Sequence, residues 1–289
     1  MRPLKFGSRA VPGDRALVMA IVNRTRDSFY DRGATFDAEA AMAAVGAAVA
    51  EGADIVDIGG VRAGSHGEIV DASEELRRVV PFVAAVRERF PDVVISVDTW
   101  RHEVGRAACE AGADLLNDTW AGVDPLLAEV AAEFGVGIVC SHTGGVQPRT
   151  DPHRVQYRDV VAEVAEELVA RANRMVELGV PAEGVLIDPT HDFGKNTWHG
   201  LELLRRLDEL VATGWPVLMA LSNKDFVGET LGVELQERVD GTLAATSVAA
   251  WMGARVFRAH QVRQTRRVVE MVASIAGTRP PARVLRALA

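Results

Sequence analysis

Residues 16–33, ALVMAIVNRTRDSFYDRG, decide the fold. The stretch opens as an apolar, β-branched strand and breaks at Asn23 into a charged loop. In a doubly wound open sheet the first strand is normally followed by a glycine-rich phosphate turn. No G-x-G-x-x-G follows this one. Seven similar runs lie downstream: DIVDIGG from Asp54, VVISVDT from Val93, DLLNDT from Asp114, GIVCSHT from Gly137, GVLIDP from Gly184, PVLMALS from Pro216 and RVFRAH from Arg255. Between them lie segments of helical period, such as DAEAAMAAVGAAVAEG from Asp37 and SEELRRVVPFVAAVRERF from Ser73. Eight strand–helix units with no break in composition predict a (β/α)8 TIM barrel, a single domain over residues 1–289. Gly52, Gly112, Gly179 and Gly253 read as the residues that stop helices.

The chain is 48% hydrophobic, enough for a large core, and its net charge of −8 argues against a general nucleic-acid binder. Its two cysteines, Cys109 and Cys140, have no metal-ligand spacing and read as reduced core thiols. No secretory leader is evident, and no apolar run reaches the roughly 18 residues of a membrane span. The expected location is the cytoplasm.

In a barrel the C-terminal strand ends surround the active site. Here those ends read Asn23, Asp57, Asp98, Asn117 with Asp118, His142, Asp188, Ser222 with Lys224, and Arg258 with His260. Asp57 or Asp118 could simply cap the following helix. Eight such ends make a convergent polar mouth the leading site. Asp98, Asn117 and Asp188 suit a flat heterocycle with N–H donors. Lys224, Arg258 and His260 suit a phosphate. Asn23 could join a phosphate-bound divalent ion, although one amide oxygen is little evidence for a metal.

In order along the chain, NRTRDSFYDRGATF, DIGG, EELRRVVPFV, ISVDTW, AGADLLND, DFGKN, GTLAAT and FRAH resemble the blocks of the dihydropteroate synthase family. That family joins 6-hydroxymethyl-dihydropterin pyrophosphate to p-aminobenzoate and releases pyrophosphate. The resemblance implies that Asp98, Asn117, Asp188 and Lys224 hold the pterin. It likewise implies Arg258 and His260 on the pyrophosphate, and Asn23 on its Mg2+. Asp31 would shield the pterin cation as pyrophosphate departs, so that Asp31, Lys224, Arg258 and His260 carry the chemistry. A homodimer formed through the late helices, including LAATSVAAWMGA from Leu243, is implied too. No membrane or nucleic acid is expected as a partner.

The chain departs from the family pattern in five places. Gly59-Gly60 leads into Val61-Arg62-Ala63-Gly64-Ser65, a loop that reads as shorter than the usual Gly-Gly-Glu-Ser-Thr-Arg-Pro-Gly. Arg62 is a candidate for the loop arginine. The usual Ser-Arg-Lys-Ser has become Ser222-Asn223-Lys224-Asp225. Asp225 there would repel a p-aminobenzoate carboxylate by about 1 kcal/mol or more. SHTGG from Ser141 stands for His-Met-Arg-Gly, Thr190-His191-Asp192 for Gly-Ile-Gly, and Arg26 for a proline. The Arg26 and Thr190-His191-Asp192 changes can be read as neutral drift. The second-loop and Asp225 changes fall together on the arylamine half, marked by Arg62, Asn223 and Asp225.

The leading reading is a dihydropteroate synthase homologue with a kept pterin half and weak or absent synthase activity. The alternatives are a working synthase, a non-catalytic pterin-binding or sensing protein, and a transferase for an acceptor lacking a carboxylate. Lys224 and Lys195 also stand near strand ends, but neighbouring acids oppose the neutral amine that a Schiff-base enzyme requires. No His-x-His pair follows the first strand, as a metal-dependent hydrolase would need.

Overall fold

A computed structural model of the chain describes residues 3–25, 37–62, 68–150 and 155–285. A short antiparallel hairpin, β1 (Lys5–Phe6) and β2 (Arg9–Ala10), precedes the barrel and turns at Gly7, whose φ is 56°. The barrel strands come next: β3 (Leu17–Asn23), β4 (Ile55–Gly59), β5 (Val94–Asp98), β6 (Leu115–Asp118), β7 (Gly137–Ser141), β8 (Val185–Asp188), β9 (Leu218–Met219) and β10 (Val256–Ala259). All eight fall on the runs read from the sequence. They form one parallel sheet in the order β8-β7-β6-β5-β4-β3-β10-β9. A parallel bridge between Ile187 and Val217 brings β8 to the approach of β9 and closes the ring.

The helices are α1 (Ala38–Ala50), α2 (Ala72–Arg89), α3 (His102–Glu110), α4 (Leu126–Phe134) and α5 (Val160–Glu177), then α6 (Thr197–Arg205), α7 (Leu207–Ala212), α8 (Asp225–Leu231), α9 (Val239–Trp251) and α10 (Val262–Ile275). Aspartates start several of them. Asp37 accepts from the amides of Glu39 and Ala40, and Asp71 from that of Glu74. Gly52, Gly112, Gly179 and Gly253 all have positive φ, as helix-stopping glycines should.

Side chains on a strand alternate between faces, so each barrel strand has an inward and an outward set. Inward, Leu17, Ile55, Val94, Leu115, Leu186, Leu218 and Val256 form an apolar floor with Leu4 and Phe6 of the hairpin segment. Gly137 makes room for this plug, because a Cβ there would lie 2.8 Å from the Phe6 ring and 2.7 Å from the Gly184 carbonyl. Outward, Val18, Ala20, Leu116, Ile138, Val185, Ile187 and Phe257 pack beneath the helices. Two residues further along the inward face, the apolar floor gives way to polar groups. Among the described residues, no helix is long and apolar enough to cross a membrane.

Candidate active site

The inward positions above the floor are Asp57, Ser96, Asn117 and Arg258, and they bond to one another. Asp57 is fully buried and accepts from Ser96 Oγ (2.6 Å), Asn117 Nδ2 (3.1 Å) and Arg258 Nε (2.7 Å). Asp57 is therefore no helix cap; it anchors a polar layer inside the barrel. Asn117 Oδ1 is buried with no partner among the described residues.

The layer above opens into a cavity of about 460 Å³. Asn23, Asp98, Asp188, Lys224, Arg258 and His260 line it, with Arg62, Asn223 and Asp225. Asp98 accepts from Arg258 Nη2 (2.8 Å) and Thr119 Oγ1 (3.1 Å). Burial pushes the Asp98 carboxyl up to about 7, while Arg258 pulls the other way. Two of the three Arg258 guanidinium nitrogens are thus taken by carboxylates. Asp188 accepts from the Thr190 amide (2.7 Å); burial raises its pKa and that amide opposes the rise. Lys224 donates to the His191 carbonyl (2.8 Å) and stands 4.6 Å from the Phe193 ring centroid. Burial lowers its pKa, and Asp192 and Asp188 oppose that. Ser222 Oγ ties the mouth together, 2.9 Å from His260 Nδ1 and donating to Gln261 Oε1 (3.1 Å).

Asp118 and His142 do not join this cavity. Each sits on the opposite strand face from Asn117 and Ser141. Asp118 binds the amides of Trp120 (3.0 Å) and Gly122 (2.7 Å), shaping the loop after β6. His142 is buried against Tyr157 and lies 3.6 Å from Glu167 of α5. Asp31 and residues 63–67 of the second loop lie outside the described residues. The segment after that loop is tied down: Arg101 donates to the Val70 carbonyl (2.8 Å), Arg78 pairs with Glu68 (2.8 Å), and Arg149 donates to the Glu68 carbonyl.

The loops beyond the strand tips add further participants. Lys195 Nζ donates to the carbonyls of His142 (2.8 Å), Phe193 (3.0 Å) and Thr190 (3.3 Å). Burial pushes it down to about 7, yet all three contacts are acceptors suited to an ammonium, so it acts as a loop tie. Thr190 (φ 52°) and Asp192 (φ 69°) both adopt left-handed backbone, which is strained for a β-branched residue such as threonine. Asp192 Oδ2 accepts from the Asp225 amide (2.6 Å) and Oδ1 from the Phe226 amide (3.3 Å). Both side chains are built into loop contacts. Asp225 is not the unopposed acid the sequence suggested either. Arg238 Nη1 pairs with its Oδ1 at 2.7 Å, although the Asp225 side chain is 74% exposed. Asn223 also lies in the left-handed region (φ 57°), with both side-chain polar atoms buried and without a partner among the described residues.

Residues 19–260 match the family described as pterin binding enzyme. The chain is 64% identical over 285 residues to a Mycobacterium leprae protein named inactive dihydropteroate synthase 2, covering 97% of this chain and 98% of that one. It is 35% identical over 275 residues to the dihydropteroate synthase of Streptococcus pyogenes, covering 94% and 100%. A solved Xanthomonas albilineans dihydropteroate synthase in complex with 7,8-dihydropteroate superposes with a TM-score of 0.83 at 37% identity, covering 95% of this chain and 98% of that one. By sequence and by fold alike, this chain belongs to the pterin-binding enzyme family.

Proposed function

We propose that this protein binds a pterin as a dihydropteroate synthase homologue whose synthase activity is weak or absent. One observation carries the reading: Asp98, Asp188, Lys224 and Arg258 converge on a single cavity above a buried Asp57–Asn117 layer. The two carboxylates are acceptors for the ring N–H and amino donors of a pterin. Asn117 Oδ1 waits beneath them, and Lys224 is a donor for the ring's own acceptors. Arg258 keeps Nη1 for a phosphate oxygen, beside His260. Asp31 takes the part of shielding a transient pterin cation. The altered half, around Arg62, Asn223 and Asp225, is where the synthase reaction is lost, since orientation of both reactants supplies much of the rate in a joining reaction. The name of the M. leprae relative supports the same conclusion.

Magnesium fits only as part of a pyrophosphate complex. The one group of three His, Cys, Asp or Glu side chains spaced for a metal among the described residues is His102, Glu103 and Asp124, none of which lines the cavity. Asn23 could add one oxygen to an ion that the phosphates carry, and such an ion would neutralise the leaving pyrophosphate. A homodimer belongs to this reading as well. Val248 and Trp251 of α9 and Met271 and Ile275 of α10 are large, apolar and exposed on two neighbouring helices. Two buried, unpaired cysteines agree with a cytoplasmic location.

Titration calorimetry with 6-hydroxymethyl-dihydropterin pyrophosphate tests the pterin half, and the same titration with p-aminobenzoate present tests the reaction. Saturable pterin binding without turnover is expected. Asp98→Ala and Asp188→Ala should each weaken that binding by about 2 kcal/mol, the order for leaving ligand donors unpaired. Efficient formation of dihydropteroate would instead establish a working synthase. No pterin binding at millimolar concentration would end both readings.

A further inference from the structure

Two segments far apart in the sequence meet at the start of α8. The amides of Asp225 and Phe226, the first two residues of that helix, have no acceptor within it. Asp192 supplies both acceptors, one carboxylate oxygen to each. Asp192, Phe193, Asn223, Lys224 and Asp225 all line the same cavity. A carboxylate-bearing ligand at this end would need donors, and the chain's own acids already hold them.

The nearby cations are engaged too. Arg238 runs across Gly228, where a Cβ would lie only 2.4 Å from its Nε. Its Nη1 binds Asp225 Oδ1 (2.7 Å) and the Asn223 carbonyl (2.9 Å). Lys224 is bonded to the His191 carbonyl. Taken together, the described cavity lining has four carboxylates, Asp98, Asp188, Asp192 and Asp225, beside Arg62, Lys224, Arg258 and the His260 imidazole. Asp192 also holds this place in left-handed backbone, which glycine would adopt without strain.

We propose that Asp192 sets the specificity of the second half of the cavity: its carboxylate occupies the α8 amides that an acidic partner would use, so the site refuses carboxylate-bearing arylamines and takes neutral or cationic amines. This rests on the pterin-site reading and names the class of its second ligand. An incoming carboxylate would find its amide donors taken and two acids beside it, whereas an ammonium or amidinium would find acceptors.

The test compares three arylamines of one shape: p-aminobenzoate, neutral 4-aminobenzamide and cationic 4-aminobenzamidine. Each is titrated calorimetrically into the full chain, with and without the pterin pyrophosphate. The amide and the amidine should bind the wild type about tenfold or more tightly than the benzoate. Asp192→Gly frees both amides, relieves the backbone and should reverse the order. Asp192→Asn keeps a side chain that tolerates this backbone and should level it, which guards against a misfolded glycine variant. Tighter benzoate binding by the wild type, or the same order in wild type and both variants, overturns the assignment. So does absence of binding by all three ligands. Titration with pterin pyrophosphate alone reads the other half separately: its failure beside an intact amine preference sinks the pterin reading and leaves the role of Asp192 standing.

Discussion

Asp98 is held between opposing influences: burial favours its protonated form and Arg258 its charged form, with the balance at about 7. Only the charged form is purely an acceptor. As pH falls from about 8 to about 6, protonation should therefore cost the site one acceptor and weaken pterin binding. Asp98→Asn should bind weakly and show little change over the same range. Calorimetry at a series of pH values checks this, and an equally steep fall in the variant would place the titrating group elsewhere. Residue identity and strand position alone placed Asp98, Asp188, Arg258 and His260 around the cavity mouth. Alternation of faces would have refined the list, because it turns Asp118 and His142 away and turns Asp57 in. What no reading of position could supply is Asp192 meeting α8 or Arg238 meeting Asp225, contacts that span 33 and 13 residues and exist only once the loops pack.

The strands were the most legible elements. A parallel barrel strand is covered on both sides, so it reads as a continuous β-branched run. Even β9, only two residues long, lies within the PVLMALS segment. Inside those strands the polar layer is a structural demand as much as a functional one. Asp57 on β4 meets Ser96 of β5, Asn117 of β6 and Arg258 of β10. Asp57→Ala would leave Arg258 Nε and the Asn117 amide without their acceptor in the barrel interior. Removing one partner of a buried pair typically destabilises by about 3–5 kcal/mol. Denaturant unfolding should show a loss of that order, and a loss under about 1 kcal/mol would mean that water reaches the layer freely.

At the scale of the whole molecule, the apolar face on α9 and α10 carries the expectation of a homodimer. On that face Trp251 is 62% exposed, beside a likewise exposed Val248. Trp251→Glu should shift the protein toward monomer in sedimentation velocity while leaving its circular dichroism unchanged. A monomeric wild type at micromolar concentration would remove the basis for the dimer. The ring of strands has one further consequence, and it concerns synthesis. β3 pairs with β4 on one side and with β10 on the other, so the first barrel strand made is sealed by the last. Val256 follows Asn23 by 233 residues (256 − 23). At ribosomal rates of about 5–20 residues per second, β3 waits on the order of ten to fifty seconds with one edge unpaired. The strand that ends the wait also brings Arg258. A chain released short of its last strand therefore lacks its closure and Arg258 together, so no incomplete product should compete for the ligand.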